Sequence, residues 1–333
     1  MVSLKDIATK LGVGVSTVSA VLNKKDYCYV SDTKKNLILD TAKNMGYVAN
    51  QMSRGMQGLP TKTIGIIGSL FSVPIMSELV DFMNKEITKA GYSIMLGDSY
   101  SQTRDEETII NEFLARGVDG ILISSTCNKV QLEKLLKKRI PYISFNKEFD
   151  GLTVTMDREA GAFMAVEHFI KKHTRKRIAF VAKGLNSNVG KLLGYRRALE
   201  MYGLEFDNKF CIETNSFQGF SDVAKLIDDL NCDAVFASND FIAGMSIKYM
   251  KQLGKRVPED IAIIGFDGLK DVCRLTTPTL TSIKDPVEKV AKESVKLLLK
   301  RIQGKKIKEV QHMIAPEWLT GESCGCINQN SKN

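Results

Sequence analysis

Residues 11–23 read LGVGVSTVSAVLN, and this stretch decides how the first domain is read. Ahead of it Ile7, Ala8 and Leu11 place one helical stripe; Val15, Val18 and Leu22 place a second. Gly12 and Gly14 bracket a connection too short for a strand hairpin, so two helices must meet at a steep angle. That is the outline of a helix-turn-helix, whose second helix enters the major groove of DNA. The outward face of that second helix carries small residues: Val15, Ser16, Ser19 and Ala20. Small side chains let a helix sit deep in a groove, where hydroxyls bond base edges and methyls touch thymine. Taken alone, so short a pattern fits a surface helical hairpin in a larger bundle equally well.

The neighbouring residues change that balance. A third helix is predicted over 32–45, with Ser31 as N-cap, Leu37, Ile38, Thr41, Ala42 and Met45 on one face, and Gly46 as C-cap. Residues 47–60 have little to bury: Asn50 can cap a short helix over 51–57 that Gly58 and Pro60 end, and such a helix is unstable alone. From Thr63 onward strand and helix alternate. Apolar runs at 64–70, 93–96, 120–124 and 142–145 read as buried parallel strands, separated by helices at 76–90, 104–116 and 130–138. A second series follows Asp157, with helices at 158–172, 191–202, 221–230 and 241–253 and strands at 177–181, 210–213, 234–237 and 261–266. A long helix over 287–302 and a strand near 310–314 close the pattern, which argues two doubly wound α/β subdomains.

Composition narrows the function class. With 44% apolar and 26% charged residues the chain has ordinary globular content, and no apolar run reaches the roughly 18 residues of a membrane helix. The start MVSLKDIATKLG lacks a basic segment followed by an apolar one, so a cytosolic protein with no signal peptide is expected. Seven scattered cysteines suit free thiols in a reducing compartment; Cys324-Gly325-Cys326 is too little by itself to define a metal site, and neither metal nor cofactor is expected. Of the net charge of +9, residues 1–60 carry +4, as a phosphate-contacting module would. Lys5, Lys10, Lys24, Lys25, Lys34, Lys35 and Arg54 are candidate phosphate partners, although any one of them would also serve as plain surface charge.

In doubly wound sheets ligands sit beyond the carboxyl ends of the strands. The polar residues there are Ser69 and Ser72, Asp98 and Ser99, Ser124 and Ser125, and Asn146 in the first half. Asn239, Asp240 and Asp267 follow in the second. Asp240 and Ser125 read most simply as helix caps, while convergence of several others on one cleft would form a small-molecule site. An enzyme fits poorly: there is no GxGxxG after a strand and no GxxxxGK(S/T) loop. His168, His173 and His312 lie away from the strand ends, the first two reading as surface residues.

The succession of LKDIATKLGVGVSTVSAVLN (4–23), GYVANQMSRGMQ (46–57) and TIGII (63–67) resembles the headpiece, hinge and first strand of the lactose-repressor (LacI/GalR) family. The resemblance runs through nearly the whole chain. It implies an α/β bilobed body like that of periplasmic binding proteins, two doubly wound parallel-sheet subdomains, preceded by a small all-α headpiece. The implied divisions are a headpiece at 1–49, a hinge helix and linker at 50–60, and an effector-binding and dimerisation domain at 61–333. Within the last, an N-subdomain takes about 61–157 plus 286–315 and a C-subdomain about 158–285 plus 316–333. Implied DNA contacts are Lys5, Val15, Ser16, Thr17, Ser19, Ala20, Asn23, Lys24 and Tyr47 in the headpiece, and Asn50, Ser53, Arg54 and Met56 in the hinge. The hinge helix would order in the minor groove, with Met56 as an apolar wedge where the family commonly has leucine. Gly55 and Gln57 replace a common serine and basic residue. Ala20 stands where the family has an arginine, so the half-site should not be read through a guanine there, and a thymine methyl could be met instead.

The resemblance also sharpens the cleft. Asn239 in A-x-N-D (237–240) and Asp267 in G-F-D (265–267) match effector-binding positions, and Lys191 replaces a gripping arginine by a point charge. Ser69, Phe71, Ser72, Asp98, Ser124, Asn146 and Asp157 complete the implied effector set, with Leu70 and Val73 making the corner after the first strand less polar than in a typical sugar site. The implied function is a homodimeric transcriptional regulator, a repressor, on palindromic operator DNA, controlled by a sugar, sugar phosphate or nucleoside-like effector. No membrane is involved, and there is room for a protein corepressor of the kind some members use. The competing reading is a bilobed solute-binding protein without operator recognition, which the basic headpiece disfavours.

Overall fold

The computed structural model describes residues 2–23, 29–47, 60–71, 73–99, 103–125, 129–136, 140–146, 152–214, 220–308 and 311–326. The hinge residues Asn50, Ser53, Arg54 and Met56, and also Lys24 and Ser72, lie outside them. The chain divides into two compact units, Met1–Thr61 and Lys62–Asn333.

The first unit holds α1 (Leu4–Leu11), α2 (Val15–Leu22) and α3 (Asp32–Asn44). Ser3 and Asp6 close a capping box at the start of α1: the Ser3 amide donates to Asp6 Oδ2 at 2.8 Å and the Asp6 amide to Ser3 Oγ at 3.3 Å. Gly12 ends α1 in the left-handed region at φ +60, which is why glycine suits this turn. Ile7, Ala8, Val18, Val21, Ile38 and Ala42 form the core that fixes the angle between α1 and α2. Val15, read both in the apolar stripe and on the outward face, is 44% exposed, and Val21 takes the inward place beside Val18; Ala20, expected outward, is corrected to 7% exposed. At about 100° per residue position 20 falls beside Val21 on the margin of the packed face, where a methyl is small enough for its neighbours to cover.

The second unit is built on two sheets, each six-stranded among the described residues. The first contains β1 (Thr63–Gly68), β2 (Ser93–Asp98), β3 (Gly120–Ile123), β4 (Tyr142–Phe145), β5 (Thr153–Met156) and β11 (Gln311–Ile314), in the order β11-β5-β4-β3-β1-β2. The second contains β6 (Ile178–Ala182), β7 (Cys211–Glu213), β8 (Ala234–Ala237), β9 (Ala262–Asp267), β10 (Thr281–Lys284) and β12 (Glu317–Leu319), in the order β12-β10-β9-β8-β6-β7. Pairing is parallel throughout except β10 with β12. The chain therefore crosses between the sheets after β5, after β10 and after β11. Sequence periodicity had not indicated β5, β10 or β12. TVTM and TSIK look like loops, yet Thr153, Thr155, Thr281 and Ser282 are fully buried.

Helices cover both sheets. On the first lie α4 (Pro74–Lys89), α5 (Thr103–Ala115), α6 (Lys129–Leu136) and α12 (Val287–Ile302). The second has α7 (Arg158–His173), α8 (Val189–Met201), α9 (Phe220–Asp229), α10 (Asp240–Gln252) and the short α11 (Lys270–Leu275), which the periodicity also did not suggest. A Cβ on Gly194 would lie 2.1 Å from the Glu159 carbonyl oxygen, so only glycine lets α8 approach α7 this closely. Among the described residues no helix is long and apolar enough to cross a membrane. His168 and His173, expected at the surface, are partly buried. The Trp318 ring lies 4.5 Å from that of His168, and burial pushes the His168 imidazole down to about 4.

Candidate functional site

Two surfaces carry the functional residues, one in each unit. On the headpiece, Lys5, Val15 and Ser16 are exposed, and no acidic side chain stands in either end turn of α2. Thr17, Ser19, Asn23 and Tyr47 are half-buried. Asn23 turns back on its own helix, its Nδ2 donating to the Ser19 carbonyl at 2.9 Å and to Ser19 Oγ at 3.2 Å. The face open for base contact is thus the first turn of α2. Ala20, at 7% exposure, has little surface left for a thymine methyl.

In the second unit a cleft of about 500 Å³ opens at the carboxyl ends of the strands. From the first sheet it takes Ser69 after β1, Ser124 after β3 and Asn146 after β4, with Val73 and Met76 from the start of α4. From the second half it takes Arg158, the single-turn helix Leu185–Asn188 and the start of α8. Three of the implied effector residues meet here: Ser69, Ser124 and Asn146. The others do different work. Asp98 accepts from the Phe71 amide at 3.1 Å, holding the loop after β1, and the Phe71 side chain points to solvent. Asp157 caps α7 through the Ala160 amide at 2.8 Å, and Asn239 caps α10 through the Ile242 amide at 2.9 Å. In the A-x-N-D stretch the cap is therefore Asn239 rather than Asp240. Asp240 is wholly buried, accepting from the Leu269 amide at 2.6 Å and Ser282 Oγ at 2.5 Å. The Ser125 hydroxyl donates to buried Glu106.

Arg158 is the residue that sequence reading missed. Its Nη2 donates to the carbonyl and to Oδ1 of Asn146, at 2.7 and 2.8 Å, and Nη1 donates to Thr155 Oγ1 at 2.8 Å. One guanidinium therefore ties the start of α7 to the ends of β4 and β5. Asn146 sits in the left-handed region at φ +53, which asparagine tolerates, and its Nδ2 faces Met76 Sδ at 3.0 Å. Nothing in the local sequence marks Arg158, because an arginine opening a helix reads as surface charge.

Lys191, Asp267, Asp285 and Arg158 form a group of opposed charges. Lys191 is buried, with Nζ donating to the Ser238 carbonyl at 2.6 Å, lying 3.9 Å from Asp267 Oδ1 and 3.8 Å from the Phe266 ring centre. Burial pulls its pKa down to about 8, helped by Arg158 and opposed by Asp267. Burial likewise raises the carboxyls of Asp240 to about 7 and Asp285 to about 6, and lifts Asp267 above the usual carboxylate range. Asp267 also has φ +99, a conformation that costs a non-glycine residue about 1–3 kcal/mol and concentrates at functional sites. Two cations thus oppose the buried Asp285 and the partly exposed Asp267.

Comparisons with known proteins bear on the fold and the family. Residues 3–50 match the model of bacterial regulatory proteins of the lacI family, and residues 166–324 match a periplasmic binding protein-like domain. Catabolite control protein A of Priestia megaterium is 31% identical over 310 residues, covering 90% of this chain and 92% of that protein. The chain belongs to the LacI family. It is a DNA-binding transcriptional regulator. The repressor CytR of Escherichia coli K12 is 28% identical, the match covering 92% of this chain and 91% of CytR. The crystal structure of the lac repressor dimer bound to operator and the anti-inducer ONPF aligns with a TM-score of 0.86 at 21% identity, over 97% of this chain and 99% of that one. A cellobiose complex of the regulator CelR gives 0.71 at 26% identity, over 97% and 100%. This LacI-family regulator thus shares its domain order and both sheets with proteins that act in transcription.

Proposed function

We propose that this regulator represses transcription as a homodimer on a palindromic operator, and that a neutral polyhydroxylated molecule, a sugar or nucleoside, sets its affinity from the cleft. The cleft carries the reading: hydrogen-bonding side chains at strand ends of one sheet face Arg158 and Asn186–Asn188 of the other half. The opposed charges of Lys191 and Arg158 against Asp267 and Asp285 leave no net charge asking for an anionic ligand, which favours a neutral sugar or nucleoside over a sugar phosphate. The cellobiose complex of CelR supports the sugar class.

A two-fold operator suits one small headpiece that offers little more than the first turn of α2 to base edges. Binding in the cleft would shift an open–closed equilibrium of the body by the ligand's differential affinity for the two states. None of the three histidines lines the cleft, which supports a binding role over catalysis there. A regulator of DNA acts in the cytoplasm, the compartment we assign.

Selection of bound duplexes from a random library with the full chain tests the operator. Recovery of a palindrome with fixed half-site spacing is expected, and enrichment of no sequence overturns the reading. The recovered site then serves to screen neutral sugars and nucleosides. Asn146→Ala should weaken the effector about tenfold, the worth of roughly one hydrogen bond of 1–1.5 kcal/mol, and leave effector-free operator affinity unchanged.

A further inference from the structure

At the opposite end of α7 from Arg158, four metal-ligating side chains converge. His168 and His173 come from the last turns of α7, and Cys324 and Cys326 from the segment after β12. Their donor atoms all lie within 4.8 Å of one another. The two Nε2 atoms are 3.1 Å apart, and Cys326 Sγ is 3.3 Å from one and 3.6 Å from the other. Zinc holds imidazole nitrogen at about 2.0–2.1 Å and thiolate sulfur at about 2.3 Å, so tetrahedral angles put two nitrogens about 3.3 Å apart and nitrogen and sulfur about 3.6 Å apart. The three spacings among His168, His173 and Cys326 lie close to those of that tetrahedron, and Cys324 completes a set within 4.8 Å.

The surrounding structure holds the four donors in place. β12 pairs with β10, and beyond it the Ser323 hydroxyl donates to the Ile263 carbonyl at 2.6 Å and accepts from the Thr281 amide at 2.9 Å. This anchoring places Cys324, which is wholly buried, with its sulfur accepting from Thr281 Oγ1 at 3.2 Å, a contact that suits a thiolate. Gly325 has φ +99, and a Cβ there would lie 3.1 Å from the His173 ring, so glycine lets the two cysteines wrap that imidazole. Trp318 packs on the other ring. Four protein donors complete the coordination shell, the mark of a structural rather than a catalytic centre. Two thiolates also neutralise a divalent ion, which suits a site flanked by Lys172 and Arg175.

We propose that His168, His173, Cys324 and Cys326 bind one zinc ion that staples the segment after β12 to the carboxyl end of α7. The full chain, purified under reductant, should carry one zinc, and cobalt(II) replacing it should show tetrahedral d–d bands and a thiolate-to-cobalt charge-transfer band. Cys326→Ser should lose that charge-transfer intensity and bind zinc far more weakly. Chelation should lower the melting temperature of the wild-type chain but not of this variant. Substoichiometric zinc together with a cobalt spectrum lacking thiolate charge transfer overturns the proposal, and so does zinc content unchanged in Cys326→Ser and Cys324→Ser. The cobalt titration of the wild-type chain keeps the test valid should either variant fail to fold.

Discussion

The headpiece and the body solve the same packing problem on different scales. Six buried apolar residues hold three short helices together in the first unit, whereas the body spreads its apolar interior over four clusters along two sheets. Small domains bury a smaller fraction of their surface and sit closer to the margin of stability. The contrast teaches that equal damage should have unequal consequences. A DNA-reading module with little reserve unfolds on its own, while a ligand-binding body tolerates buried charge and backbone strain.

The sharpest way to break this comparison is a matched pair of core truncations. Ile38→Ala and Ile264→Ala each remove a fully buried isoleucine, at a cost of about 2–5 kcal/mol. The first should abolish operator binding and melt the headpiece while the body transition stays put. The second should lower the body's transition and leave the headpiece folded, as separate calorimetric transitions or proton spectra would reveal. Loss of both units in either variant would show that the two do not unfold independently.

The body's tolerance for buried charge should appear as a pH dependence. Asp285 is held near 6 when folded against an ordinary 3.8, so the native state keeps its proton longer and loses stability as pH rises between those values. Asp285→Asn should therefore gain on the wild type from about pH 4 to pH 7, by up to about 3 kcal/mol, in urea midpoints of the body transition. A difference independent of pH would mean that Arg158 and Lys191 already compensate the carboxylate.

Close backbone approach is a second reserve that only the larger unit uses. Gly194→Ala sets a methyl against the Glu159 carbonyl and should cost about 1–3 kcal/mol as α7 and α8 separate, with weaker effector binding because Arg158 opens α7. Thermal melting with and without effector checks both parts. The headpiece, by contrast, has room to improve. Gly14 begins α2 without a side-chain cap, and a Cβ there meets nothing closer than 3.5 Å. Gly14→Ser should raise headpiece stability by a few tenths of a kcal/mol, readable as a small rise of its own transition, and leave the body unmoved.

The α/β alternation and the three headpiece helices were legible because they are local. A stripe at helical spacing and apolar runs of strand length are written into consecutive residues, and Ser31, Gly12 and Gly46 mark helix ends as capping chemistry requires. The strands β5 and β10 were not legible, since buried threonines and serines make short polar strands that become strands only when neighbours on both sides bond them; β12 was not legible because its three residues form an edge strand set only by pairing with β10. The cleft was half legible: Ser69, Ser124 and Asn146 follow from the rule that ligands meet strand ends. Asn239 and Asp267 follow from the same rule and Lys191 from resemblance alone; in the structure Asn239 caps α10, Lys191 is buried and Asp267 is partly exposed beside it.

What the sequence determined by itself was the class of molecule: a basic helix-turn-helix module joined to a doubly wound body, because periodicity, caps and net charge are properties of neighbouring residues. Tertiary structure alone decided which way particular side chains face. Helix register against the core buried Ala20 and exposed Val15. The turn from β5 into the helix that crosses to the second sheet brought Arg158 to Asn146, and the segment after β12 carried Cys324 and Cys326 to His168 and His173 from some 150 positions away. Contacts of that kind depend on how distant segments pack, and no local pattern encodes them.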